Sequence, residues 1–292
     1  MSRLQTWLAD GPLLTDGAWG TELYKHGLAP GACPDLWNLT RPDAVAAVAR
    51  SYVEAGSQVI LTNTFRANAI ALGSADIAPI NRAGVTISRQ AAGRAARVVA
   101  SLGPSGKMLV TREVSRHDLT AAFSTQARAL AEAGADALLI ETMSDIDEAT
   151  IAAEAALTTG LPVIVSFVFD SGAHKDRTMT GATPEAVATA LTAAGVDAVG
   201  ANCGVGPARF VEVCRRLRDA TALPVWVKPN AGLPVLVDGR VTYDLDADGF
   251  AAYLPALLDA GAAFVGGCCG TTPAFVRALA TTLARVRTDR VQ

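Results

Sequence analysis

Five cysteines are the soft ligands this chain offers, and three of them sit where backbone geometry lets thiols converge. Phe264-Val265-Gly266-Gly267-Cys268-Cys269-Gly270-Thr271-Thr272-Pro273 begins as an apolar run, loosens into glycines, presents two adjacent thiols and then starts a helix. Neighbouring side chains on a regular strand face opposite ways, so a cysteine pair serves one site only where glycine lets the backbone leave strand geometry. Thr272 suits a helix cap and Pro273 a first helical position, which sets the pair just before a helix N-terminus. Cys203 closes a second apolar run, Ala198-Val199-Gly200-Ala201-Asn202-Cys203, and is followed by Gly204. Thiolates from Cys203, Cys268 and Cys269 make a three-sulfur zinc site with one position open, as a catalytic site requires. Cys214 falls inside a helical pattern, where a small buried hydrophobe is expected. Cys33 lies in a Gly/Pro-rich loop. The three histidines, His26, His117 and His174, are scattered and are assigned no metal.

These thiols must be held by strand ends, and the chain supplies eight short apolar runs separated by helical patterns. The runs are Pro12–Gly20, Gln58–Thr64, Lys107–Thr111, Ala137–Thr142, Pro162–Phe169, Ala198–Cys203, Pro224–Asn230 and the run ending in Cys268 and Cys269. Alternation of this kind is the signature of parallel βαβ units. Between the first two runs, Pro42 to Ala55 carries Val45, Val48, Tyr52 and Val53 on a helical stripe. Ala-Gly pairs at 55–56, 133–134, 194–195 and 260–261 recur before every second strand, with glycine suited to the helix C′ position. Eight strands without a Gly-x-Gly-x-x-Gly turn favour a closed (β/α)8 barrel, class α/β, over an open doubly wound sheet. A length of 292 residues fits one barrel domain spanning residues 1–292.

In such a barrel, chemistry gathers at the C-terminal strand ends. The residues expected there are Asp16, Asn63, Glu141, Ser166, Cys203, Lys228, Asn230, Cys268 and Cys269. Cys203 and the cysteine pair flank the seventh strand, so their sulfurs can meet across its end. Composition narrows the partners. Half the residues are hydrophobic, 18% are charged, and the formal net charge is −3 without a basic block, which argues against nucleic acid. No apolar run has transmembrane length, and Met1-Ser2-Arg3-Leu4-Gln5-Thr6-Trp7 does not read as a secretion signal. With an odd number of cysteines and glycine-flanked thiols, a reducing cytoplasm is the expected compartment.

Several stretches together resemble the zinc-dependent homocysteine S-methyltransferases. That family includes betaine–homocysteine methyltransferase, S-methylmethionine-dependent enzymes and the homocysteine module of cobalamin-dependent methionine synthase. The stretches are Asp16-Gly17-Ala18-Trp19-Gly20-Thr21-Glu22, Thr62-Asn63-Thr64-Phe65, Ile140-Glu141-Thr142, Asn202-Cys203, Pro229-Asn230-Ala231-Gly232 and Gly266 to Pro273. The resemblance covers nearly the whole chain. It implies one zinc per chain on Cys203, Cys268 and Cys269, and methyl transfer to the homocysteine thiol to give methionine. It also implies that Glu141 and Asp16 hold the substrate amino group, with the loop through Gly17 and Thr21 at its carboxylate and Asn63, Asn202 and Asn230 shaping the site. For the methyl donor, Pro229 to Pro234 and Cys269-Gly270-Thr271 look closer to the methionine synthase branch. A corrinoid protein carrying methylcobalamin in trans is therefore favoured over S-methylmethionine or betaine. Trp19, Tyr24 and Phe65 offer an aromatic surface for a cationic donor in the competing case. Two further alternatives are a thiol-binding subunit inactive alone, and an aldolase-type barrel using Lys228 as a Schiff-base lysine.

Overall fold

The computed structural model describes residues 3–74, 76–237 and 240–289. In chain order its strands are β1 (Leu13–Leu14), β2 (Val59–Leu61), β3 (Arg97–Leu102), β4 (Ala137–Met143), β5 (Val163–Phe167), β6 (Ala198–Cys203), β7 (Val225–Pro229), β8 (Pro234–Val237), β9 (Arg240–Tyr243) and β10 (Ala262–Val265). Eight of them form one parallel sheet in the order β1-β10-β7-β6-β5-β4-β3-β2. The seam between β1 and β2 is closed by Gln58, whose N–H donates to the Leu14 carbonyl at 2.8 Å while its side-chain oxygen accepts from Leu14 N–H at 3.1 Å. Helices separate successive barrel strands, and the fold is the (β/α)8 barrel the alternation implies. Among the described residues no helix is long and apolar enough to cross a membrane.

Strand periodicity builds the interior. Leu13, Val59, Leu61, Val99, Ala137, Leu139, Ile164, Ala198, Trp226 and Phe264 pack as one cluster inside the barrel. Their neighbours Ile60, Val98, Leu138, Val163, Val199 and Val225 pack in the two outer clusters that include helix residues. This is the period of two that a doubly covered parallel sheet demands. Gly200 is part of the fit: a Cβ there would strike the carbonyl oxygen and the Cβ of Trp226, whose ring centroid lies 5.2 Å from that of Phe264. Leu4, on the helix Arg3–Trp7, joins the same cluster.

Two residues further along several strands, the parity-matched positions turn polar: Ser101 follows Val99, Glu141 follows Leu139, Ser166 follows Ile164 and Lys228 follows Trp226. All four are buried. The apolar plug therefore ends in a polar layer at the C-terminal mouth, where the active site of such a barrel lies.

Two features correct the sequence reading. The third strand is Arg97–Leu102 and not Lys107–Thr111. The latter segment is turn structure in which Val110 is 75% exposed, because Pro104 and Gly106 break the chain after the true strand. The antiparallel hairpin of β8 and β9 is an insertion between β7 and the helices preceding β10, absent from the eight-run reading. The Ala-Gly pairs do end helices: Gly56, Gly134, Gly195 and Gly261 all take positive φ, between 81° and 105°.

Candidate active site

Cys203 is the last residue of β6 and adopts a left-handed φ of 61°, followed by Gly204 at 59°. Two successive left-handed residues turn the chain out of the strand and carry the thiol toward β10. Across the end of β7, Cys268 Sγ lies 3.0 Å from Cys203 Sγ, and the sulfurs of Cys203, Cys268 and Cys269 all fall within 4.8 Å of one another. The glycines make this possible. A Cβ on Gly266 would strike Thr15 Oγ1 and approach the Asp16 carbonyl to 2.5 Å, and one on Gly267 would strike Thr271.

Asn230 is the strut between the two cysteine-bearing loops. Its backbone N–H donates to the Cys203 carbonyl at 3.3 Å and its side-chain amide to the Gly204 carbonyl at 2.6 Å. Its side-chain oxygen accepts from Cys269 N–H at 3.0 Å. Asn202, fully buried, binds Thr142 through both ends of its amide (2.7 and 2.9 Å) and accepts from Ser166 Oγ at 2.7 Å. Asn63 donates to the Pro34 carbonyl at 2.8 Å and to Asn38 Oδ1 at 3.0 Å. Each asparagine is thus knitted into the frame of the mouth.

The three thiols form a soft donor set that suits zinc, and three protein ligands leave one coordination position for a substrate. Hydrogen bonds with Cys203 and Cys268 pull the Cys269 thiol down, and hydrogen bonds with Cys268 and Cys269 push Cys203 up. Cys214 lies in the core on the helix Pro207–Ala220, where burial pushes its thiol up to about 12. It is the inert cysteine that the helical pattern implies. Cys33 Sγ lies 3.4 Å from Asp35 Oδ2, outside the cluster.

The carboxylates differ. Glu141 is 7% exposed, and one of its oxygens accepts from Ser101 Oγ. Burial raises its pKa to about 7 against the opposing charge of Lys228. Asp16 is fully buried. It pairs with Lys228 through Oδ1, and its Oδ2 accepts from Leu61 N–H at 2.7 Å and the Trp19 indole at 2.8 Å. Burial works against a charged Lys228, but Asp16 and Glu141 outweigh it and hold the amine above its usual range. Gly17 has no room for a side chain, since a Cβ would lie 2.8 Å from the Tyr52 ring and 2.9 Å from Thr271 Oγ1. Among the described residues, Thr21 Oγ1 is buried without a hydrogen-bond partner. The helix Trp19–Lys25 begins without a side-chain cap at Ala18.

Tyr243, at the end of β9, was not expected at the site. Its ring packs against Gly270, leaving no space for a Cβ there. Burial, followed by the negative charge of Cys269, pushes its phenol up to about 12. Tyr24 is 49% exposed, whereas Trp19 is turned inward onto Asp16.

Comparison with known proteins agrees with this architecture. Residues 13–283 match the family model described as homocysteine S-methyltransferase. Methionine synthase from Mycobacterium tuberculosis is 33% identical over 96% of this chain, and that from Mycobacterium leprae is 34% identical over 95%. The chain spans about a quarter of the length of each (25%). The metallated crystal form of the homocysteine methyltransferase MmuM from Escherichia coli superimposes with a TM-score of 0.79 at 27% identity, covering 96% of this chain and 99% of that one.

Proposed function

The chain belongs to the homocysteine S-methyltransferase family, and from that premise we propose that it methylates the thiol of homocysteine at the Cys203–Cys268–Cys269 cluster to give methionine. The observation that carries this reading is the convergence of three thiols within 4.8 Å of one another at the barrel mouth, with Glu141 buried in the same polar layer. Zinc held by the three cysteines would deprotonate and hold the substrate thiol, which with a pKa of about 8.5 is otherwise mostly protonated at neutral pH.

The chain's own residues then do the following. Glu141 receives the substrate ammonium, its second oxygen unengaged by Ser101. Gly17, Thr21 and the loop between them receive the carboxylate, for which the uncapped helix start and the orphaned Thr21 hydroxyl are suited. Asn230 holds the cysteine loops in register, and Asn202 and Asn63 brace the strand ends beside them. The substrate sulfur attacks the donor's methyl carbon, and the donor departs with the bonding pair.

For the donor we favour a methylated corrinoid on a separate protein. Support comes from the greater identity to the methionine synthases and from the motif running from Pro229 to Pro234. Reduced thiols in the cluster suit a cytoplasmic setting. Lys228 is a poor Schiff-base nucleophile while paired with Asp16 and held protonated. Borohydride trapping with a carbonyl substrate should therefore leave it unlabelled.

The test is a donor panel. Zinc-loaded protein and homocysteine are incubated with S-methylmethionine, S-adenosylmethionine, betaine, methyltetrahydrofolate or methylcobalamin, and methionine is measured. Turnover with methylcobalamin alone supports the corrinoid reading. Efficient turnover with S-methylmethionine or betaine replaces it with a self-sufficient enzyme, and turnover with none makes the chain a thiol-binding subunit.

A further inference from the structure

Tyr243 enters the site from outside the eight-stranded sheet. It is the last residue of β9 and stands opposite Pro234 in the antiparallel hairpin inserted after β7. Backbone hydrogen bonds tie the chain just beyond it to the thiol loop. Leu245 N–H donates to the Ala231 carbonyl at 3.1 Å, and Ala231 N–H donates to the Cys269 carbonyl at 3.0 Å. At the base of the hairpin, Leu233 N–H donates to Asp244 Oδ1 at 3.1 Å. The ring is thereby laid across Gly270, which has a left-handed φ of 82° and no side chain to hold the ring off the loop. The hydroxyl faces the Cys269 thiol, which acts on it by charge and by hydrogen bonding.

A donor at that sulfur has a use. Three thiolates around a zinc ion leave one net negative charge, and a substrate thiolate adds a second, at a mouth where all three cysteines are only partly exposed. Cys268 is offset by the Lys228 ammonium, whereas Cys269 meets the carboxylate of Glu141. A phenol has an ordinary pKa of about 10, so near neutral pH it keeps its proton and acts toward a thiolate as a donor. Hydrogen bonds to charged acceptors are the stronger ones, and outer contacts of this kind tune a metal through its ligands. Resting on the zinc and homocysteine reading above, we propose that Tyr243 is a positioning residue of the metal site. Its O–H donates to the Cys269 thiolate and takes up part of the excess negative charge, which leaves the metal better able to hold the substrate sulfur.

The experiment compares wild type with Tyr243→Phe, which keeps the ring on Gly270 and removes only the hydroxyl. Both full chains are loaded with cobalt(II), and the sulfur-to-metal charge-transfer band is recorded before any thiol is added. A thiolate that loses its donor gives up an electron more easily, so the band should move to longer wavelength in the variant. Calorimetry on the zinc-loaded proteins then compares homocysteine with 4-mercaptobutanoate, which keeps the thiol and the carboxylate and lacks the amino group. Both should weaken by the same factor, about three- to tenfold, the loss of one ordinary hydrogen bond. An unmoved band overturns the proposal, as does a fall confined to homocysteine, which would make Tyr243 a reader of the amino group. Should that variant not hold cobalt, Tyr243→3-fluorotyrosine takes its place. Its more acidic O–H is the stronger donor at neutral pH and should move the band to shorter wavelength, and an unmoved band again overturns the proposal. The band needs no substrate, so it decides the role of Tyr243 even if wild-type protein binds neither thiol, the result that would defeat the homocysteine reading itself.

Discussion

Replacing Glu141 with glutamine keeps the size of the side chain and an oxygen for Ser101 but removes the charge proposed to face the substrate ammonium. The carboxylate is 7% exposed, so water screens the interaction little. A hydrogen bond between charged partners in such a place contributes about 1.5–3 kcal/mol. At about 1.4 kcal/mol per factor of ten, Glu141→Gln should weaken homocysteine roughly 10- to 150-fold. The measurement belongs at about pH 8, one unit above the pKa of about 7 that burial gives Glu141, where the wild-type carboxylate is mostly ionised. Calorimetric titration of zinc-loaded protein gives the affinity, and 4-mercaptobutanoate supplies the control because it has no amino group to lose. Its affinity should stay within about threefold of wild type, inside the range expected when no charged hydrogen bond is removed. Zinc content should stay at about one per chain, the value for a single site with three cysteine ligands. Equal weakening of both thiols would refute the reasoning and make Glu141 a structural member of the mouth.

The raised pKa of Glu141 also sets a pH dependence. The ratio of homocysteine to 4-mercaptobutanoate affinity should rise as pH climbs through about 7, and Glu141→Gln should flatten it. The folded state holds this proton more tightly than the unfolded chain, so its contribution to stability is present below 4.5 and lost as pH rises to about 7. Urea unfolding of wild type should show that decline more steeply than the variant does. Cys203→Ala, Cys268→Ala and Cys269→Ala should each abolish tight zinc binding in metal analysis after dialysis, whereas Cys214→Ala, buried away from the cluster, should retain it; full retention in Cys268→Ala would contradict the site. Gly266→Ala drives a methyl group into Thr15 and the Asp16 carbonyl, which should cost about 1–3 kcal/mol of stability together with zinc affinity. A melting temperature and zinc content equal to wild type would show that the loop yields there.

Most of the barrel was legible because a strand covered on both faces has to be an apolar run, and such runs stand out between Ala-rich helices. The exception is physical. Arg97–Leu102 follows Ala-Ala-Gly-Arg-Ala-Ala with no turn signal except Gly93, so its start reads as a continued helix. Lys107–Thr111, bounded by Gly106, resembles a strand in sequence, and only its exposure shows otherwise. The thiol site was legible because glycines beside cysteines at two strand ends have a clear geometric meaning. The three asparagines were not, since a turn former and a strut have the same composition, and only the bonds of Asn230 to Gly204 and Cys269 separate them. The Lys228–Asp16 pair joins residues 212 positions apart, a relation that neither local sequence encodes. Tyr243 had a signal in retrospect. The β-prone runs Val235-Leu236-Val237 and Val241-Thr242-Tyr243 read as a hairpin in sequence, and the β8–β9 hairpin brings Tyr243 against Gly270.

The central claim is that the homocysteine sulfur takes the open position at Cys203, Cys268 and Cys269. Cobalt(II) substituted for zinc makes that position visible. Titration with homocysteine should change the visible absorption spectrum and release a proton near neutral pH, while methionine, a neutral thioether, should bind far more weakly and leave the spectrum nearly unchanged. A spectrum unaltered by saturating homocysteine, from protein that still forms methionine, would contradict the claim and make the metal structural.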